Sequence, residues 1–242
     1  MKVLGITSYR CGSGYCFESI SQILRNLHLN EILSQAVPLE TYTYKNGVLG
    51  IDYAILDSAY NRLAVDVPDA ELYKRVNWLI NSKNSWTAKI HIDQLLKLDS
   101  QTIKNLLNSV TPVLLYREDT YERILSMILA FEMNKYRFAQ NDVVPDITVE
   151  YNYERHCNII NRIIESEKQL LDIYKQHYWY KIYRYESLTH DPNIDFALFG
   201  YRDKDTIKRP KISFYDKEQR IKNSHKIRED FKWENLKIPN LN

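Results

Sequence analysis

The sequence predicts one α/β domain, built from a central parallel sheet with helices on both faces. Three observations carry this reading. The chain opens as strand, loop and helix: residues 2–6 read as a short buried strand, residues 7–14 include small residues and two glycines, and a helical pattern follows from Tyr15. Further strand-like runs recur at 86–92, 111–116 and 179–183, separated by helical patterns. No internal repeat, low-complexity stretch or interdomain linker divides the 242 residues. A single domain over 1–242 is therefore expected, with an irregular segment from about 203 onward.

Taken in order, Ile20, Ile23, Leu24 and Leu27 fall at helical spacing in the first helix. Residues 41–45 and 48–53 flank Asn46-Gly47, a dipeptide suited to a two-residue hairpin turn. Residues 70–81 read as a helix, and 86–92 as a strand with β-branched and aromatic residues between polar ones. Residues 103–107 sit in a further helix. Residues 111–116 form a compact apolar strand introduced by Pro112. The next helix starts near Asp119 and carries Ile124, Leu125, Ile128 and Leu129 on one stripe. Asp119 or Thr120 is its expected cap, because a short oxygen-bearing side chain accepts from the first free backbone N–H groups. Residues 151–177 read as a long helix with Ile159, Ile160, Ile163, Ile164 and Leu171 inward. After Asp191-Pro192 the chain turns polar and irregular.

Composition narrows the function classes. Hydrophobic residues make up 44% and charged residues 26%, ordinary for a globular protein. With 33 basic and 31 acidic side chains the net charge is +2, without the concentrated basic excess of a nucleic-acid binder. No run approaches the roughly 18 to 20 apolar residues that span a membrane. The apolar run 3–6 is too short for a signal-peptide core. Cys11, Cys16 and Cys157 make neither a disulfide framework nor a zinc set, so a reducing, cytoplasmic setting and no metal are expected.

The loop 7–15, Thr-Ser-Tyr-Arg-Cys-Gly-Ser-Gly-Tyr, is the first candidate site. Backbone N–H groups at a helix N-terminus point toward an incoming anion, and the helix dipole favours negative charge there. Gly12 and Gly14 permit close backbone approach. Arg10 brings a fixed charge with several donors, Ser13 a hydroxyl, and Cys11 and Tyr15 their backbone N–H groups. A plain tight turn with a surface arginine has the same composition. The loop is not a Walker A sequence, because no lysine follows Gly12 or Gly14.

A second anchor is Arg117, at the end of the 111–116 strand, with Ser126 on the following helix. An arginine and a serine so placed can converge on one phosphate; a surface arginine paired with Glu118 or Asp119 is the alternative. A third is Lys89 with His91. They are two apart on a strand and share a face. The like charge of Lys89 disfavours protonation of His91, which could then take a proton from an acceptor. A half-buried histidine satisfied by a backbone carbonyl fits the same pattern.

These segments resemble sulfotransferases. Tyr9, Arg10, Cys11, Gly12 and Ser13 align with the 5′-phosphosulfate loop written Y-P-K-S-G-T-T-W or P-R-S-G-S-T, departing at Tyr9, Cys11 and Gly14. Arg117, Asp119, Arg123 and Ser126 follow the outline R-D-P-x-x-R-x-x-S, one residue longer than in many cytosolic members. Lys89 and His91 are similar to K-T-H. Residues 183–188, with Tyr185, and then Asp191-Pro192, are similar to R-Y-E-D-L…D-P. Weaker likenesses follow at Lys208-Arg209-Pro210-Lys211 and at Ile221, Asn223 and Arg228.

The resemblance implies a three-layer, P-loop-like α/β fold. It also implies 3′-phosphoadenosine 5′-phosphosulfate as donor, a small-molecule or glycan acceptor, and no metal. Arg10 would act at the sulfuryl group, His91 as base, Arg117 and Ser126 at the 3′-phosphate, and Tyr185 along the nucleotide. Glu18 and Asp93 are alternative bases. A nucleotide or small-molecule kinase, or a non-catalytic nucleotide-binding protein, are the other readings.

Overall fold

The computed structural model describes residues 1–33, 42–45, 48–51, 69–134, 146–188, 195–199, 217–233 and 238. Its centre is a five-stranded sheet formed by β1 (Lys2–Thr7), β2 (Leu27–Glu31), β5 (Trp86–His91), β6 (Thr111–Tyr116) and β8 (Lys181–Arg184). The strand order is β2-β5-β1-β6-β8 and every pairing is parallel. Parallel strands are joined by crossovers, and the helices those crossovers carry cover both faces. β1 is central. Thr7 at its carboxyl end lies beside His91 of β5 and Leu115 of β6. The domain is therefore a three-layer α/β fold, as the sequence predicts.

One face of the sheet takes α1 (Ser13–Leu24). Val3, Val113 and Leu115 pack there with Phe17 and Ile20 of α1. The approach is close: a Cβ built on Gly5 would lie 2.0 Å from Cζ of Phe17, so the Phe17 ring occupies the space a side chain would fill. The opposite face packs Leu4, Ile6, Ala88, Ile90 and Leu114 against α2 (Asp69–Asn81), α4 (Ser100–Asn108) and α6 (Tyr153–Gln176). A third cluster joins α5 (Thr120–Glu132) to α6 and to the segment holding Ile221, Ile227 and Phe231. Each fully buried aliphatic or aromatic side chain in these layers contributes about 1.5 to 3 kcal/mol.

Most expected elements are present with shifted ends. α1 begins at Ser13 rather than Tyr15 and stops at Leu24. Arg25 then adopts the left-handed region (φ 49°) and closes the helix, so Leu27, which continues the helical spacing, instead starts β2. Strand β5 ends at His91, and Ile92 opens the one-turn helix α3 (Ile92–Leu95). Asp119 caps α5 by accepting from the N–H of Glu122. In α6 the fully buried positions include Ile160, Ile163 and Leu170, while Ile159, Ile164 and Leu171 are half-buried.

The hairpin strands β3 (Tyr42–Lys45) and β4 (Val48–Ile51) pair antiparallel; the Asn46-Gly47 turn lies outside the described residues. Beyond the reach of the sequence patterns are the short parallel pair β7 (Val149–Glu150) and β9 (Ile221–Lys222), and helix α7 (His225–Asp230). Among the described residues no helix is long and apolar enough to cross a membrane.

Gly5→Ala is expected to destabilise the domain by about 1 to 3 kcal/mol, because the new methyl overlaps the Phe17 ring. Urea unfolding checks this. Phe17→Leu in the same chain should return part of the loss, since it removes the atoms that collide.

Candidate functional site

Helix α1 lies on one face of the sheet, whereas β5 leads into α3 and α4 on the other. The crevice at the carboxyl ends of β1, β5 and β6 is thus a topological switch point, where open α/β sheets bind ligands. The loop after β1 lies there. Arg10 (φ 60°) and Gly12 (φ 73°) both take the left-handed region. For Arg10 that backbone costs on the order of 1 kcal/mol, a strain of the kind that gathers at ligand sites. Gly12 is the N-cap of α1, which has no side-chain cap and no acidic residue in its first turn. The first intrahelical bond runs from Cys16 N to Gly12 O, so the N–H groups of Ser13, Gly14 and Tyr15 have no intrahelical acceptor. A Cβ built on Gly14 would meet nothing within 4 Å. No packing demand accounts for glycine there; the space beside it is open.

Two basic side chains lie near this helix end, Lys89 bonded to its first residue and Arg10 two residues before its N-cap. Lys89, only 8% exposed, reaches in from β5 and its Nζ donates to Ser13 Oγ at 3.3 Å. It supplies from the neighbouring strand a lysine that the loop sequence lacks. Arg10 Nε donates to Ser126 Oγ of α5 at 3.0 Å. Ser126, expected beside Arg117, is thus joined to the loop arginine. With the positive end of the helix dipole added, the potential here favours an anion.

Arg117 forms the other side. Its side chain is 14% exposed and stacks on the Tyr185 ring, 4.6 Å from the centroid. Tyr185 in turn covers Gly12: a Cβ there would lie 2.3 Å from Tyr185 Cε2. Gly12 is needed twice, for its φ and for this ring. Two carboxylates flank Arg117, Glu122 and Glu186, each at 3.6 Å. Both distances exceed hydrogen-bonding range. Among the described residues, the buried Nε of Arg117 has no hydrogen-bond partner. Glu122 and Ser126 are four apart on α5 and so neighbours on one helix face, which sets the Arg117 group next to the Arg10–Ser126 pair.

His91 is 8% exposed, and its ring stacks on Tyr9 with centroids 4.5 Å apart. Tyr9 is itself clamped. Its hydroxyl donates to Asp93 Oδ2 at 2.5 Å, and Arg162 of α6 lies over its other side while donating to the same oxygen at 2.6 Å. Burial works against a charge on Asp93, but the hydrogen bonds from Arg162 and Tyr9 outweigh it and hold the carboxyl below its ordinary range.

Beneath the loop, Arg123 is fully buried. It donates from Nε to Tyr9 O at 2.9 Å and from Nη2 to Ser8 Oγ at 2.9 Å, and it pairs with Glu167 of α6. Burial pushes the Glu167 carboxyl up, offset in part by Arg123 and the Thr120 hydroxyl.

The side chains of other expected residues have partners of their own. The Cys11 thiol is buried 3.1 Å from Ser8 Oγ. The Tyr15 hydroxyl donates to Asp195 at 2.9 Å. Arg228 lies over the Tyr121 ring at 3.8 Å, and Asn223 donates to Glu150. Asp191, Pro192 and the basic run 208–211 lie outside the described residues. Residues the motifs did not supply are Glu122, Arg162, Glu167 and Lys217. For Glu167 a signal exists: a lone carboxylate interrupting the inward stripe Ile160, Ile163, Leu170 of α6.

Arg123→Ala is expected to cost about 3 to 5 kcal/mol, because it strands a buried carboxylate. Adding Glu167→Leu should recover much of that loss in the same unfolding measurement. For Asp93 the sign follows from its lowered value: its contribution is complete above the ordinary carboxylate pKa and is lost as pH falls through the lowered one. Asp93→Asn should therefore destabilise by about 1 to 3 kcal/mol at pH 7. Unfolding repeated at acid pH should show the gap between wild type and variant closing.

The sequence matches no family model, and no curated protein matches it at a significant level.

Proposed function

We propose that the chain is a sulfotransferase. In this reading a sulfuryl group moves from 3′-phosphoadenosine 5′-phosphosulfate to a hydroxyl or amine of a small-molecule or glycan acceptor. The observation that supports it is a basic side chain at or after the end of each of three adjacent strands, each tied to the start of α1 or the loop before it: Lys89 on β5 bonds Ser13, Arg10 after β1 lies in the loop that leads into α1, and Arg117 after β6 stacks on the ring that covers Gly12.

The residues fit the two charged ends of such a donor. The N–H groups opening α1, with Arg10, Lys89 and Ser13, suit the phosphosulfate. Arg117, whose buried Nε lacks a hydrogen-bond partner among the described residues, suits the 3′-phosphate, and the Tyr185 ring beside it suits the nucleoside. In the transfer, an acceptor oxygen or nitrogen attacks sulfur in line. The bond from sulfur to the bridging oxygen breaks, and its electron pair stays on the leaving phosphate. The acceptor's proton passes to a base, for which His91 is the candidate. Charge grows on the bridging and sulfuryl oxygens, where preorganised donors stabilise the transition state more than the ground state. In this reading Lys89 and Arg10 are those donors.

A second reading, a protein that binds the nucleotide without transferring the sulfuryl group, draws on one observation. His91 is 8% exposed, with Tyr9 over one face of its ring. An acceptor would have to reach its edge.

Calorimetry with adenosine 3′,5′-bisphosphate, AMP and ATP tests the assignment. The bisphosphate should bind tightest, and Arg117→Ala should weaken it about ten- to a hundred-fold, the scale of a charge-assisted hydrogen-bond pair, while leaving AMP binding nearly unchanged. No preference for the 3′-phosphorylated nucleotide would sink the assignment. Sulfuryl transfer from labelled donor across a panel of alcohols, amines and glycans, with His91→Ala as comparison, separates enzyme from binder.

A further inference from the structure

Arg117 is the least satisfied charge described in the crevice. It is 14% exposed, its Nε is buried without a hydrogen-bond partner among the described residues, and both of its carboxylate neighbours stand at 3.6 Å. Those carboxylates are held from elsewhere. Glu186 accepts from the backbone N–H groups of Glu118 and Asp119, each at 3.2 Å. Glu122 takes the ammonium of Lys217 on Oε2 at 2.5 Å, the same oxygen that faces Arg117 Nη2. Neither carboxylate is positioned for a bidentate grip on the guanidinium, yet each places a negative charge where an anion would approach it.

We propose that Glu122 and Glu186 are built-in competitors for Arg117, which lower the affinity for the 3′-phosphate and so speed release of the desulfated nucleotide. This rests on the reading of Arg117 as the 3′-phosphate residue. A site that holds a phosphate with an unopposed, buried arginine binds donor and product alike. After transfer the product keeps both phosphates, so every contact made at the 3′ end slows its departure without lowering the barrier to sulfuryl transfer. Two fixed carboxylates weaken that uniform contact. They leave the loop end untouched, where Lys89 and Arg10 face the reacting group. Tyr185 keeps the guanidinium in place during exchange by stacking on it. The device acts on ligands that carry a 3′-phosphate and not on those ending in a 3′-hydroxyl, so faster release is obtained at the expense of part of the preference for the 3′-phosphate.

The test uses the full chain and adenosine 3′,5′-bisphosphate, with AMP as the ligand lacking the 3′-phosphate. Glu122→Gln keeps an acceptor oxygen for Lys217, and Glu186→Gln keeps one for one of its two backbone N–H donors. Each should tighten bisphosphate binding about three- to five-fold, the scale of one partly exposed ion pair, and slow its dissociation to match. AMP affinity should stay within two-fold. Glu118→Gln, which removes a nearby charge paired to Arg184 rather than Arg117, is the control for the general field and should change little. Thermal unfolding of each variant reports whether the fold is intact; if one variant is unstable, the other carries the measurement. Failure of wild type to prefer bisphosphate over AMP defeats the underlying functional reading. A wild-type preference with no tightening in either glutamine variant, or equal tightening by Glu118→Gln, overturns this proposal and leaves that reading standing.

Discussion

The crevice depends on one buried charge. Arg123 sends its guanidinium from α5 under the loop after β1, where it donates to the Tyr9 carbonyl and the Ser8 hydroxyl and pairs with Glu167 of α6. A loop carrying two left-handed residues would relax without such a tie. Because the guanidinium is planar, it fixes direction as well as distance. Arg10 and Ser126 then meet because the loop and α5 are held by the same side chain. The arrangement costs desolvation of both ions, and its return is geometry more than stability. Tyr9 gains a second set of supports from Asp93 and Arg162, so the loop is pinned on two sides before any ligand arrives.

The site is also a product of sheet order. β1, β5 and β6 are adjacent although the loops that follow them are far apart in sequence. Lys89 can serve the loop after β1 only because Gly5 and Lys89 are register partners in the sheet. The glycine at position 5 lets α1 settle close against the sheet. A loop that carries no lysine in sequence gains one from the neighbouring strand in three dimensions.

Much of the fold was legible. Apolar runs at β1 and β6, the helical stripes of α5 and α6 and the Asp119 cap all follow local rules that survive in the structure. β2 is hidden because Leu27 continues the spacing of Ile20, Ile23 and Leu24; only the left-handed Arg25 breaks the pattern, and it is not a glycine. In the crevice, Arg10, Lys89, Ser13, Gly12, Arg117 and Tyr185 could be named from motif order, since each lies at or beside a strand end. Their pairing could not. Ser126 meets Arg10, and Tyr185 bridges Gly12 to Arg117, through tertiary contacts that leave no periodic trace. Arg162 and Lys217 were invisible for the same reason. Each looks like an ordinary surface cation until Asp93 or Glu122 is placed beside it.

The all-parallel sheet has a consequence for how the chain is made. β1 emerges first and is the sheet's centre, yet its two partners, β5 and β6, lie roughly eighty and more residues downstream. At a synthesis rate of about 5 to 20 residues per second, the first strand waits on the order of 4 to 20 seconds for its nearer neighbour to be translated. Throughout that interval β1 has no strand to pair with, and Leu4 and Ile6, both fully buried on the face away from α1, lack the helices that cover them. The face of β1 turned away from α1 is thus exposed to wrong partners while the chain is made. A holding chaperone acting on the nascent chain would have its main work there, before α2, α4 and α6 exist to cover that face.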